Sequence, residues 1–132
     1  MHQTDLSLAE KMNIRCSAII ANQADREETV NAQTEYGSLK MITTPTRGVG
    51  LNRNIALMAA DADILMFADD DVVYNDDMVE NVLAAFEALP QADVIVFGMD
   101  IVKNGKVTEK RHLKRERRRV WNSMRFGTYT MA

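Results

Sequence analysis

The sequence predicts an α/β domain with a mostly parallel sheet flanked by helices, and three observations predict it. Short apolar runs recur at CSAIIAN (16–22), DILMFA (63–68) and ADVIVFGMDI (92–101), the pattern of strands buried on both faces. Amphipathic segments lie between them, at LNRNIALMAA (51–60) and again at 78–89, where crossover helices belong. The chain has 132 residues, 46% of them hydrophobic and 27% charged, which suits one globular domain over residues 1–132 with a real core.

Taken in order, Asp5 to Met12 reads as a short helix with Asp5 as its cap. CSAIIAN is a short strand, in which Cys16 is expected to be a small buried residue. NQADREE is a polar loop. Thr29 to Glu35 reads as an edge strand that turns at Tyr36-Gly37 into SLKMITT (38–44), which Pro45 ends. The helix after TRGVG carries Leu51, Ile55, Met58 and Ala59 on one face. Asn75, Asp76 and Asp77 open a second helix, where acids favour the positive end of the dipole. Its face is Met78, Val79, Val82, Leu83, Phe86 and Leu89, and Pro90 stops it. Asn104-Gly105 is a two-residue hairpin signal. Residues 102–132 then hold a hairpin and a basic segment, and FGTYTMA reads as an incoming strand.

Composition narrows the function classes. No apolar run reaches the ~18 residues of a membrane span. The first residues, MHQTDLSLAE, are polar and acidic and show no signal-peptide pattern. The single Cys16 allows no internal disulfide and suits a reducing, cytoplasmic location, with peripheral attachment at the inner membrane face as an extension of it. The net charge of −3 hides an asymmetry: residues 1–102 hold 17 acids and 6 bases, residues 103–132 hold 2 acids and 10 bases. That split concerns partners and sites rather than fold.

FADDDVVY (67–74) places three aspartates directly after an apolar run. Like charges about 4 Å apart repel by roughly 1 kcal/mol in water and about 4 at a surface-like dielectric. A bound cation, a helix dipole or solvation must offset that. In an extended segment Asp69 and Asp71 face one side and Asp70 the other. Two carboxylates without His or Cys suit a hard cation, Mg²⁺ or Mn²⁺, which shares its ligands with water and phosphate. The plain alternative is a loop that starts the next helix.

The loop TPTRGVGLNRN is the second feature. Gly48 and Gly50 permit close backbone approach, and a helix beginning near Gly50 points free N–H groups at an anion. Arg47 and Arg53 can add charge-assisted bonds to phosphate. No Gly-Lys-Ser/Thr follows, so this is not a P-loop, and the glycine spacing is not that of a dinucleotide fingerprint. The plain reading is a turn and a helix start.

Together GVGLNRNIAL (48–57) and DADILMFADDDVVYNDDMV (61–79) resemble the family 2 glycosyltransferases, which have a GT-A fold. In that family a Gly-x-x-x-Arg-Asn helix start precedes a strand ending in a metal-binding Asp-x-Asp. The resemblance spans roughly residues 14 to 131. It implies that Asp69 and Asp71 hold Mn²⁺ or Mg²⁺ on the diphosphate of a nucleotide sugar, a UDP-sugar first among them. It places Asp70 near the ribose or base, and the Arg53-Asn54 pair, with Gly50 and Arg47, at the nucleotide. The loop after CSAIIAN, with Asn22 and Asp25, also faces the nucleotide. Here the family often has Asp-Asp and this chain has Asn22-Gln23. The acceptor would be a glycan or a lipid-linked group. The family's opening strand and its downstream catalytic base have no counterpart, so a chain truncated at both ends is expected, with no base assigned. An apolar sheet edge left exposed would then promote self-association.

EKRHLKRERRR (109–119) reads as a solvated face, a basic segment near a diphosphate, or a nucleic-acid patch. No groove-entering motif or interleaved aromatic supports the last, and no nucleic-acid partner is expected. His112 reads as a surface residue. Trp121 and Tyr129 are core residues or the lining of a sugar subsite, and the nine methionines are core filler. Two other functions fit parts of the sequence. A phosphatase of the haloacid dehalogenase type would use Asp69 as nucleophile and Asp71 as acid/base, but that motif normally opens its chain. A non-catalytic nucleotide-binding remnant, or a receiver-like module, is the non-enzyme alternative.

Overall fold

The computed structural model describes residues 5–111. Its elements are helix α1 (Ser7–Lys11), strands β1 (Ala18–Gln23), β2 (Glu28–Thr34) and β3 (Gly37–Thr44), helices α2 (Val49–Ala59) and α3 (Met78–Ala88), and strands β4 (Met99–Lys103) and β5 (Lys106–Arg111). The chain divides into two compact units, one ending at Val82 and the other starting at Leu83.

The first unit is built on a three-stranded sheet of order β1-β3-β2. β1 runs parallel to β3, from Ala18 opposite Leu39 to Gln23 opposite Thr44. β2 runs antiparallel to β3, with Val30 opposite Met41 and Ala32 opposite Leu39. Residues opposite one another share a face, so Ile20, Leu39, Met41, Val30 and Ala32 lie together. That face is the core: Ile20, Leu39 and Met41 are buried with Ala9 of α1, and Leu6, Leu8 and Ile14 pack around them. Burying each such large side chain stabilises the fold by about 1.5–3 kcal/mol. Asp5 accepts bonds from the Ser7 backbone N–H at 2.9 Å and the Ser7 hydroxyl at 2.5 Å, but the capping position of α1 is Leu6, which makes no side-chain cap bond, so the expected Asp5 cap is corrected to a turn just before the helix. Those bonds hold the Asp5 carboxyl below its ordinary pKa.

α2 lies against β1. Asn52 Nδ2 donates to the Ala21 carbonyl at 2.6 Å and Gln23 Nε2 to the Gly48 carbonyl at 3.0 Å. These polar ties set the rotation of the helix and turn its apolar stripe outward. Leu51 is 53% and Met58 85% exposed, and with Thr46, Asn54, Ile55 and Ala59 they line an open groove of about 510 Å³. Leu51, Ile55, Met58 and Ala59 share one face, as their spacing predicts, and that face borders the groove.

The second unit holds the β4–β5 hairpin, antiparallel, with a register shift between Ile101 and Val102. Asn104 and Gly105 both have positive φ, 51° and 72°, as the predicted two-residue turn requires. α3 opens after Asn75, whose carbonyl accepts from Met78 N–H at 3.2 Å, and it ends before Pro90. It carries no buried residue.

The fold is mixed α/β, but the mostly parallel sheet is reduced among the described residues to one parallel pair. The runs 63–68 and 92–98 are not strands, and Leu65, Met66, Phe67, Val94, Val96 and Phe97 are exposed. An apolar run records that side chains favour burial. A strand also needs a neighbour to complete its hydrogen bonds, and these runs pair with none of the described strands. Cys16 is corrected as well: it is exposed, just before β1, although partial shielding of the thiol raises its pKa. No helix among the described residues is long and apolar enough to cross a membrane. Residues 112–119 of the basic run, His112, Trp121, Tyr129 and FGTYTMA lie outside the described residues.

Candidate functional site

The aspartate triplet is not extended. Val72 N–H donates to the Asp69 carbonyl at 3.3 Å, closing a turn over Asp70 and Asp71. The period-two argument that put Asp69 and Asp71 on one side therefore does not apply, because alternation belongs to extended backbone. All three aspartates are exposed. Solvent is thus part of what offsets their repulsion. The other part is a cation: Arg53 Nη2 donates to Asp69 Oδ1 at 2.8 Å. The pair is partly exposed, 32% and 55% for the two side chains, so it contributes little to stability and is easily displaced.

That contact joins the two sequence motifs. Arg53 lies one turn into α2, which starts after Gly48, and Gly48 holds φ at 119°, a conformation that favours glycine. The first turn leaves backbone N–H groups with no intrahelical acceptor. An added Cβ at Gly50 would meet nothing within 4 Å, so the space beside the helix start is open.

The ends of β1 and β3 border the same helix start. Arg47 pairs with Asp25 and also donates to the Pro45 carbonyl at 3.0 Å, so two predicted nucleotide contacts meet each other. Asn22 is buried and donates to Thr43 Oγ1 at 3.3 Å, on the face that carries Ile20. Gln23, on the opposite face, is the member of the Asn22-Gln23 pair that reaches Gly48. Asn54 faces the apolar groove, one residue on from Arg53. Two buried oxygens, Thr44 Oγ1 and Asn52 Oδ1, have no hydrogen-bond partner among the described residues.

Sequence reasoning missed a second set of contacts at the far side of the triplet. Asn13 has φ at 56°. Its Nδ2 donates to the Tyr74 carbonyl and to Asp76 Oδ1, each at 2.9 Å. Arg15 Nη2 reaches the same Asp76 oxygen at 2.5 Å, and Arg15 Nε donates to Asn13 Oδ1 at 3.2 Å. Tyr74 N–H donates to the Met12 carbonyl at 2.9 Å. Burial, and secondarily the charge of Asp69, push the Tyr74 phenol above its ordinary pKa. The only local signal was the asparagine at a left-handed position, a residue type enriched there.

Among the described residues no group of three or more His, Cys, Asp or Glu side chains is placed to hold a metal ion. The donor set at the triplet is two or three carboxylates on one turn, hard oxygen ligands without nitrogen or sulfur. That chemistry fits Mg²⁺ or Mn²⁺ bound through few carboxylates, with water and substrate phosphate completing the shell.

No curated protein and no solved structure matches this chain. The family model described as glycosyl transferase family 2 matches residues 3–131. That span takes in the α2 start, the aspartate turn and the contact between them, and the chain belongs to glycosyl transferase family 2.

Proposed function

We propose that the chain binds the nucleoside diphosphate part of a sugar donor where the α2 start meets the aspartate turn, for transfer of the sugar to an acceptor hydroxyl. The observation that carries this reading is the contact of Arg53 with Asp69. It brings a guanidinium of one motif and a carboxylate of the other to one place. Asp69 and Asp71 would hold Mn²⁺ or Mg²⁺, and Asp70 would lie toward the ribose or base. The ion supplies a Lewis acid for the departing diphosphate. Arg53 binds the phosphate oxygens and the α2 start directs its N–H groups at them, so both stabilise negative charge as it grows. Arg47 can leave Asp25, an exposed partner, for the same anion. Gln23, which already reaches Gly48 at the helix start, offers a bond to a sugar or base hydroxyl or N–H group. No described residue is assigned as the base for the acceptor. A UDP-sugar donor, a glycan or lipid-linked acceptor and the full GT-A architecture are parts of the same proposal. The comparisons lend no support to the phosphatase alternative.

Calorimetry of the full chain with UDP tests it. Binding is expected with Mn²⁺ and lost when the metal is chelated; equal binding with and without metal overturns the metal role. GDP in the same titration reports the base. A remnant would bind donor and transfer no sugar.

Self-association belongs to the proposal too. The described sheet ends in β1 and β2, and Leu65, Met66 and Phe67 are exposed; unpaired edges and apolar surface of this kind favour association. Sedimentation is expected to show concentration-dependent dimers or larger species. A monomer at all concentrations contradicts this.

A further inference from the structure

We propose that Asn13 is a positioning residue that holds the aspartate turn in its ligand-binding shape; this rests on the proposed metal and diphosphate site. The triplet sits on an exposed turn with a single backbone bond of its own, Val72 N–H to Asp69 O. A turn held only by that bond would sample many shapes, and each shape would move its carboxylates. The chain fixes it from both ends. At the start, Asp69 meets Arg53, a contact that a metal ion would displace. At the end, Tyr74 and Asp76 are tied to the segment between α1 and β1 by four bonds: Asn13 Nδ2 to the Tyr74 carbonyl and to Asp76 Oδ1, Arg15 to Asp76 Oδ1, and Tyr74 N–H to the Met12 carbonyl. The second set does not involve the triplet carboxylates, so it persists when they take a ligand.

Asn13 is the centre of that clamp. One amide group donates to two acceptors and its own oxygen accepts from Arg15 at 3.2 Å, so its orientation is fixed by three partners. Its left-handed backbone aims the side chain at residues more than sixty positions away. Outer groups that orient metal ligands commonly change metal affinity by roughly 10–100-fold when removed. Asp76, predicted as a helix-opening acid, is assigned here as the carboxylate that Asn13 and Arg15 grip.

The test uses the full chain and Asn13→Gly, which accepts the same φ without strain and deletes only the amide. Mn²⁺-dependent UDP binding is expected to weaken by roughly tenfold, and binding is lost in both chains when the metal is chelated. Asn13→Asp, which sets a carboxylate against Asp76, is expected to be worse. Adding Asp76→Asn restores a donor–acceptor pair between the two positions and should recover most of the affinity. A purely structural role predicts a lower unfolding midpoint with unchanged affinity of the folded protein at low temperature, and that result overturns the proposal. So does Asn13→Asp/Asp76→Asn binding no better than Asn13→Asp. If the native chain binds UDP without needing metal, the metal reading fails and the positioning role falls with it. If the native chain needs metal and Asn13→Gly binds equally well, only the positioning role fails.

Discussion

Asp71→Ala is expected to lower Mn²⁺-dependent UDP affinity by roughly a hundredfold or more, beyond the 10–100-fold typical of groups behind the ligands. A hard cation held by two carboxylates retains one after the substitution, and water does not replace the lost charge. Asp70→Ala removes a neighbouring charge of equal size that is proposed to face the ribose or base rather than the metal, and serves as the comparison. It should change affinity by less than tenfold and leave the metal requirement intact. The contrast matters because all three aspartates are exposed on one turn. A general negative field would make the two substitutions equivalent, and equivalence would sink the assignment. Arg53→Ala separates the partners further. Arg53 neutralises Asp69 through their 2.8 Å contact, so its removal should strengthen Mn²⁺ binding measured without nucleotide. The same substitution would remove the charge-assisted bond to phosphate proposed for Arg53, worth about 2 kcal/mol or roughly thirtyfold in UDP affinity. Opposite signs for metal and nucleotide are a signature that loss of folding cannot produce.

How far the sequence revealed this arrangement depended on whether each signal was local. Asn104-Gly105 prescribes its own turn, and the hairpin formed around it. β1, β2 and β3 formed within a few residues of the expected spans, and each pairs within one sheet of order β1-β3-β2. α2 and α3 began after Gly48 and Asn75-Asp76-Asp77, and α3 stopped before Pro90, since starts and stops are set by backbone chemistry at those residues. The runs 63–68 and 92–98 carried equal apolarity and no information about a pairing partner. The triplet was read as extended because it follows an apolar run, yet a turn closes at Val72. At the site, the Arg53 and Asp69 motifs were legible as types, while their meeting depended on the fold. The bonds from Asn13 to Tyr74 and Asp76 span 61 and 63 positions, a separation at which no local pattern points from one residue to the other.

Gly37→Ala is expected to destabilise the first unit by about 2–5 kcal/mol, the sum of a strained φ and an overpacked contact. Gly37 opens β3 at φ of 144°. A Cβ built there would sit 2.5 Å from Ser17 Oγ, 3.0 Å from the Ser17 nitrogen and 3.2 Å from its Cα. The hydroxyl can rotate away, but it then abandons the Ser38 N–H that donates to it at 3.1 Å. The Ser17 backbone cannot move so cheaply, because Ala18 immediately after it is in register with Leu39 of the core. A domain of this size is stable by only about 5–15 kcal/mol, so the loss is a large fraction of the whole. The urea midpoint should fall without a change in slope. Ser17→Ala distinguishes the two costs. Alone it removes an exposed hydrogen bond worth at most about 1 kcal/mol. Combined with Gly37→Ala it removes the tightest contact and leaves the backbone strain, so the double variant should be less destabilised than the sum by about 1 kcal/mol. Strict additivity would mean that the hydroxyl contact is relieved at no cost, and that the backbone conformation of Gly37 carries the entire effect.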